Sequence, residues 1–198
     1  MTDVEHRIAE ILRAEAQAIL AAPVGPAYEH AVDALLRCPS KVIATGMGKA
    51  GLVARKFAAI LSSTGTPAVY IHPAEAAHGD LGLVAPGDCI VAFSTSGKTR
   101  EVLEMVEFAR HLGAGTVIGI TSHTDSELRA KSDVLVDMGV VEEPCPLGLT
   151  PSASMAVMSA ISDALALVLM ERKGITRHDY GLRHHGGYLG RKARLDNL

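Results

Sequence analysis

The chain has 198 residues, 48% hydrophobic and 21% charged, which suits one α/β domain with a full core and leaves no room for a second of ordinary size. A net charge of −3 and a pI near 6.3 exclude a general pull toward nucleic acid or anionic membrane, and 4% aromatics with no tryptophan exclude a stacking platform for single strands. Cys38, Cys89 and Cys145 are too few and too scattered for a disulfide framework or a zinc cluster. The opening Met1–Glu5 is acidic with no signal-type apolar segment after it, and no run approaches the roughly 18–20 apolar residues of a membrane span. The expectation is a reduced cytoplasmic protein.

Residues 3–21 read as a helix, because Val4, Ile8, Ile11, Leu12, Ile19 and Leu20 recur at helical spacing and Thr2 with Glu5 has the spacing of a capping box. Pro23, Gly25 and Pro26 end it, and a second helix follows at 27–37. Both precede any strand, so they pack either outside a later sheet or against another subunit. Alternation then begins. Lys41–Thr45 is a strand that ends in the glycine turn Gly46–Gly51, and a helix carrying Leu52, Val53, Phe57 and Ile60 follows. After the turn Thr64–Pro67 come a strand at Ala68–Ile71, a loop from His72 to Gly82, and a strand at Cys89–Phe93. A helix at 99–112, a strand at Thr116–Thr121, a short helix near 125–131, a strand at Val134–Met138 and an apolar helix at 152–172, opened by Ser152 and Ser154, complete the pattern. Continuous apolar strands separated by helices predict a five-stranded parallel sheet covered on both faces, and right-handed crossovers make it doubly wound.

Ligands of such sheets bind at the carboxyl ends of the strands, near the switch in strand order. The stretch Val91–Glu101 is a strand, a tight turn and a helix start, with Ser94, Thr95, Ser96 and Thr99 placed where a helix has unpaired N–H groups and a positive dipole end. Those hydroxyls either cap the helix or seat a phosphate; the turn itself leaves both open. Gly46, Gly48 and Gly51 fit G-x-G-x-x-G formally, but the ribose-binding acid some 20 residues on is missing, since the second strand ends in His72 with Glu75 displaced into the loop. Lys49 is the more telling residue there, a cation where a phosphate or sugar oxygen would sit. His72 and His78 are spaced unlike a helix-based metal pair. Glu142 and Glu143 flank a proline-stiffened turn, and the glycines beside His184 permit close backbone approach. A phosphate socket, a carboxylate or histidine base and a carbonyl-polarising cation suit proton transfer on a phosphorylated sugar, with no redox cofactor required.

Ser94–Thr99 resembles the phosphosugar-binding turn of sugar isomerase (SIS) domains. The motifs Gly46–Lys49, Ser63–Pro67, His72–Gly82, Cys145–Leu149 and His184–Lys192, spanning residues 41–192, are similar to those of the SIS domain of arabinose 5-phosphate isomerases. The resemblance implies a flavodoxin-like single domain: N-terminal helices at 1–40, an α/β core at 41–175, and a segment at 176–198 that completes the site. It also implies interconversion of D-arabinose 5-phosphate and D-ribulose 5-phosphate through an enediol, feeding Kdo for lipopolysaccharide or capsule. Catalytic positions fall on Lys49, Glu101, Glu143 and His184, with His184 or Glu143 as the base, Lys49 as the orienting cation and Glu101 as a holder of Lys49 or the ring oxygen. Substrate contacts fall on Gly48, Gly65, Thr66, His72 and His78, with the phosphate at Ser94, Thr95, Ser96 and Thr99. His72 also matches a position that takes a modulating zinc. A homotetramer with shared active sites is implied, His184 being donated to a neighbour. The expectation is an SIS domain without the CBS pair of the long family members; His185 stands at a usual proline and Lys98 at a frequent glutamate. Two alternatives remain: an isomerase of another sugar phosphate, such as 3-hexulose 6-phosphate, and a non-catalytic sugar-phosphate sensor.

Overall fold

The computed structural model describes residues 2–194; residue 1 and residues 195–198, the outer ends of the two flanking segments, lie outside the described residues. The elements run α1 (Asp3–Leu20), α2 (Pro26–Leu36), β1 (Val42–Gly46), α3 (Gly48–Ser63), β2 (Ala68–Ile71), α4 (Pro73–Ala76), a 3-10 turn (Asp80–Leu83), β3 (Cys89–Phe93), α5 (Arg100–His111), β4 (Val117–Thr121), α6 (Glu127–Lys131), β5 (Val134–Asp137), α7 (Ala153–Arg172), α8 (Arg177–Arg183) and α9 (Gly187–Arg194). The five strands are all parallel, in the order β2-β1-β3-β4-β5. This is the flavodoxin-like order, and its switch point lies between β1 and β3.

β1, β3 and β4 are buried at every residue, as strands covered on both faces must be. Successive side chains alternate faces. Val42, Ala44, Val91 and Phe93 meet Leu35, Phe57, Leu61, Val157 and Leu165 on one side, where Phe57 and Phe93 touch edge to face. Ile43, Ile90 and Ala92 meet Val102, Val106 and Leu128 on the other.

The Thr2–Glu5 capping box forms, with the Glu5 N–H donating to Thr2 Oγ1 at 3.2 Å and the Thr2 N–H to Glu5 Oε2 at 2.7 Å. α2 covers the sheet through Ala31, Val32 and Leu35, packing on β5 and α7. α1 lies further out on α7 with no buried residue and leaves Val4, Ile8 and Leu12 exposed.

Three expectations need correction. α7, at 20 residues and mean hydropathy 1.8, is long and apolar enough to cross a membrane, but half of it is buried against α1 and α3, as suits a core helix. Its N-cap, Ser152, makes no side-chain capping bond. The His72–Gly82 loop holds a short helix and a 3-10 turn, and the C-terminal segment holds α8 and α9, which are too short for periodicity to reveal.

Candidate active site

The turn Ser94–Thr99 and the turn Gly46–Lys49 face each other across the switch point. They line a cleft of about 270 Å³ with Met47, Lys49, Ala50, Phe93, Pro151 and Met155. Whether the hydroxyls cap α5 or leave it open is settled by their partners. Thr99 occupies the N-cap position but makes no side-chain capping bond; its hydroxyl pairs with Ser94 Oγ at 2.9 Å. Ser94 Oγ accepts from the Gly97 N–H at 3.1 Å, and Ser96 Oγ from the Lys98 N–H at 3.2 Å. The N–H groups of Thr95 and Ser96 find no acceptor among the described residues, and the first N–H groups of α5 are unpaired by helix geometry. Free donors at a helix N-terminus bind anions. Gly97 sits at φ +64°, and a Cβ there would collide with Ser126 Oγ, so only glycine permits this turn.

Lys49 is exposed in the first turn of α3, which carries no acid. A cation at that end opposes the helix dipole, a cost of about 0.3–1 kcal/mol that an anion in the cleft would offset. Glu101 is half-buried in the first turn of α5. Among the described residues Lys49 and Glu101 make no ion pair or side-chain hydrogen bond with each other, so one chain does not display Glu101 holding Lys49.

Glu143 has a different place. Its carboxylate accepts from the N–H groups of Ser152 (2.8 Å), Ala153 (2.9 Å) and Ser154 (3.2 Å) and from the Ser154 hydroxyl. It is therefore the cap of α7, reaching in from the preceding loop, and it fixes the helix that brings Pro151 and Met155 to the cleft. Burial raises its pKa, but the Ser154 hydroxyl and the three N–H groups outweigh that and hold the carboxyl below its ordinary value. No spacing signal points to a cap ten residues upstream of the first residue of its helix.

His72 ends β2 at the same edge, half-buried, with its Nδ1 enclosed and unpartnered and its ring edge-on to Tyr70. Tyr70, which the sequence did not single out, donates its hydroxyl to the Gly46 carbonyl at 3.0 Å and so ties β2 to the Lys49 turn. Among the described residues, five buried side-chain polar atoms lack a partner, and four of them (on Thr45, His72, Ser122 and Ser126) lie at or just beyond the carboxyl ends of β1, β2 and β4. His78 is exposed in the loop beyond α4. No group of three His, Cys, Asp or Glu that could hold a metal occurs among the described residues, so His72 is a single ligand and does not make a zinc site by itself.

Gly65, Thr66 and His184 are not at this edge. Gly65 and Thr66 follow the C-terminus of α3, about 24 Å from Lys49 along 16 residues of helix. Thr66 is buried and its hydroxyl accepts from Lys173 Nζ at 2.8 Å, while the Arg183 guanidinium lies against Gly65. His184 caps α8 next to Arg183, with its ring stacked on Tyr180 at 3.9 Å and Nδ1 donating to the Tyr180 carbonyl at 2.9 Å. One chain thus places these two groups of residues on opposite edges of its sheet.

A doubly wound parallel sheet with unpaired N–H groups at its switch point defines a flavodoxin-like α/β domain. The chain belongs to the SIS domain family, whose sequence model matches residues 35–170. It is 41% identical over 176 residues to the arabinose 5-phosphate isomerase KdsD of Pseudomonas aeruginosa, an alignment covering 89% of this chain and 54% of that protein. The chain spans about half the length of the curated relatives it matches. Two solved structures match along nearly their whole chains. A candidate phosphosugar isomerase involved in capsule formation from Bacteroides fragilis is 44% identical, with a TM-score of 0.90 over 93% of this chain and 99% of its own. A protein of E. coli CFT073 in complex with arabinose 5-phosphate is 38% identical, with a TM-score of 0.86 over 93% of this chain and all of its own.

Proposed function

We propose that the chain is a cytoplasmic aldose–ketose isomerase that interconverts D-arabinose 5-phosphate and D-ribulose 5-phosphate. The observation that carries this reading is the E. coli CFT073 structure with arabinose 5-phosphate bound, similar to this chain over its full length. The substrate's phosphate takes the free N–H groups and hydroxyls of Ser94–Thr99, and that remote binding energy holds the sugar in position. A base removes the C2 proton of the aldose while the C1 carbonyl oxygen takes a proton to give the enediol. The carbon proton then returns at C1 as the C2 hydroxyl gives up its proton and becomes the ketose carbonyl, so that the net change is one proton from C2 to C1 and one from O2 to O1. The electrons stay within the substrate, so the route requires no redox partner.

Lys49 steadies the negative charge that develops on the oxygens at C1 and C2. His184 is the base: its Nδ1–H is held on the Tyr180 carbonyl, which leaves Nε2 to take the proton. Glu143, held ionised by four donors, is a weak base and sets the α7 N-terminus instead. Because His184, Gly65 and Thr66 lie on the far edge, a second copy supplies them to each Lys49 cleft, which fits a homotetramer with shared sites.

The test is a panel of pentose, hexulose and heptulose phosphates offered to the purified chain in a coupled assay. Ribulose 5-phosphate formed from arabinose 5-phosphate is expected. Turnover of a hexulose phosphate alone moves the substrate assignment, and tight binding without turnover of any sugar phosphate overturns the enzyme reading.

A further inference from the structure

The Thr95 carbonyl accepts three hydrogen bonds from the segment that ends β4: from the Ser122 N–H at 3.0 Å, the Thr121 hydroxyl at 3.0 Å and His123 Nδ1 at 3.0 Å. A carbonyl oxygen only accepts, so Nδ1 of His123 carries the hydrogen. The peptide group is planar and trans, with its C=O and N–H on opposite sides. Anchoring the Thr95 carbonyl against β4 therefore fixes the direction of the Ser96 N–H away from β4. Thr95 and Ser96 line the cleft, whereas Thr121, Ser122 and His123 do not. The next part of the turn is held in the same way, with the Gly97 carbonyl accepting from the Leu128 N–H at 3.0 Å. Both carbonyls are thus tied behind the turn.

We propose that His123 is a positioning residue of the anion socket: its Nδ1–H holds the Thr95 carbonyl and thereby keeps the Ser96 N–H aimed at the bound phosphate. This rests on the reading that Ser94–Thr99 holds a phosphate monoester. Of the three donors, Ser122 uses its backbone, and the Thr121 hydroxyl is buried and also accepts from the His123 N–H at 3.1 Å. His123 is the exposed member, open to substitution without disturbing the core. Losing its bond frees the peptide to rotate before ligand arrives, and the ligand must then re-order it.

The experiment measures the affinity of inorganic phosphate by calorimetry, together with KM and kcat for arabinose 5-phosphate, in wild type, His123→Phe and His123→Asn. Phe keeps a planar ring and has no donor; the Asn amide offers an N–H at the place of Nδ1. Loss of one hydrogen bond that sets geometry predicts phosphate binding about three- to tenfold weaker in His123→Phe. KM should rise by the same factor with kcat within about twofold, and His123→Asn should recover most of the affinity. Wild-type affinity in His123→Phe overturns the assignment, as does His123→Asn being as weak as His123→Phe, or a loss confined to kcat. A wild-type chain that binds neither phosphate nor sugar phosphate overturns the socket reading together with it, and so separates the two failures.

Discussion

Glu143→Gln and Glu143→Ala distinguish a helix cap from a catalytic base. The carboxylate ties three N–H groups at the start of α7 and one hydroxyl, and α7 carries nine buried residues, Ala153 to Leu169, into the core. Removing an N-cap acceptor costs about 0.5–2 kcal/mol, and charged bonds lie at the upper end, so Glu143→Ala is worth about 2 kcal/mol. At roughly 2–4 °C per kcal/mol for a domain of this size, the melting temperature at pH 7 falls by roughly 4–8 °C. Glu143→Gln keeps one acceptor oxygen and loses about half as much. The sign of the pH dependence follows from the lowered pKa. A carboxylate whose folded pKa is depressed adds stability above its unfolded pKa, about 4.3, and loses it as pH falls through the folded value. The gap between wild type and Glu143→Gln in thermal unfolding should therefore be full at pH 6–7 and close progressively in acid. In the isomerase assay Glu143→Gln should lose less than about tenfold in kcat, whereas removing a general base costs about 10²–10⁴. An unchanged melting temperature in Glu143→Ala, or a kcat loss beyond 10² in a Glu143→Gln chain of wild-type stability, refutes the cap assignment.

Lys49→Ala and His184→Ala should each abolish turnover with the fold intact by circular dichroism; mixing the two inactive chains after dissociation should restore about a quarter of the wild-type rate if each site draws on two copies. No recovery on mixing removes the shared site. Gly97→Ala should weaken phosphate binding at least tenfold and destabilise the chain by about 1–3 kcal/mol, because the added methyl meets Ser126 Oγ at positive φ; calorimetry with inorganic phosphate checks it. Bonds from the Thr150 and Leu149 N–H groups to the Cys145 sulfur pull its pKa down to about 7, whereas burial pushes the Cys89 thiol up to about 12. Carbamidomethylation followed by mass spectrometry should thus label Cys145 with a rate that rises through pH 7 and leave Cys89 unlabelled in the native chain.

The glycine turn after β1 and the hydroxyl turn after β3 were both legible before any fold was known, because each is a contiguous run whose backbone demands specific residue types. Which job the hydroxyls do was not legible: capping and anion binding use the same residues, and only the pairing of Ser94 Oγ with Thr99 Oγ1 shows that the N–H groups stay free. Lys49 was visible as a cation in a turn. Its adverse position against the α3 dipole needed the helix boundary.

By itself the sequence determined the α/β alternation, the five strands and their places to within a residue or two, because buried parallel strands must be apolar throughout and the helices between them amphipathic. It also determined the two turns that face the switch point. Only the tertiary structure decided that Glu143 caps α7, that Tyr70 ties β2 to the Lys49 turn, that His123 Nδ1 bonds the Thr95 carbonyl behind the turn, and that Gly65, Thr66 and His184 stand on the edge opposite Lys49. Each of these joins residues brought together by crossovers and packing rather than by spacing along the chain. Composition and periodicity describe one element at a time; which side chains share an edge is set by strand order and by the length of the helix between them.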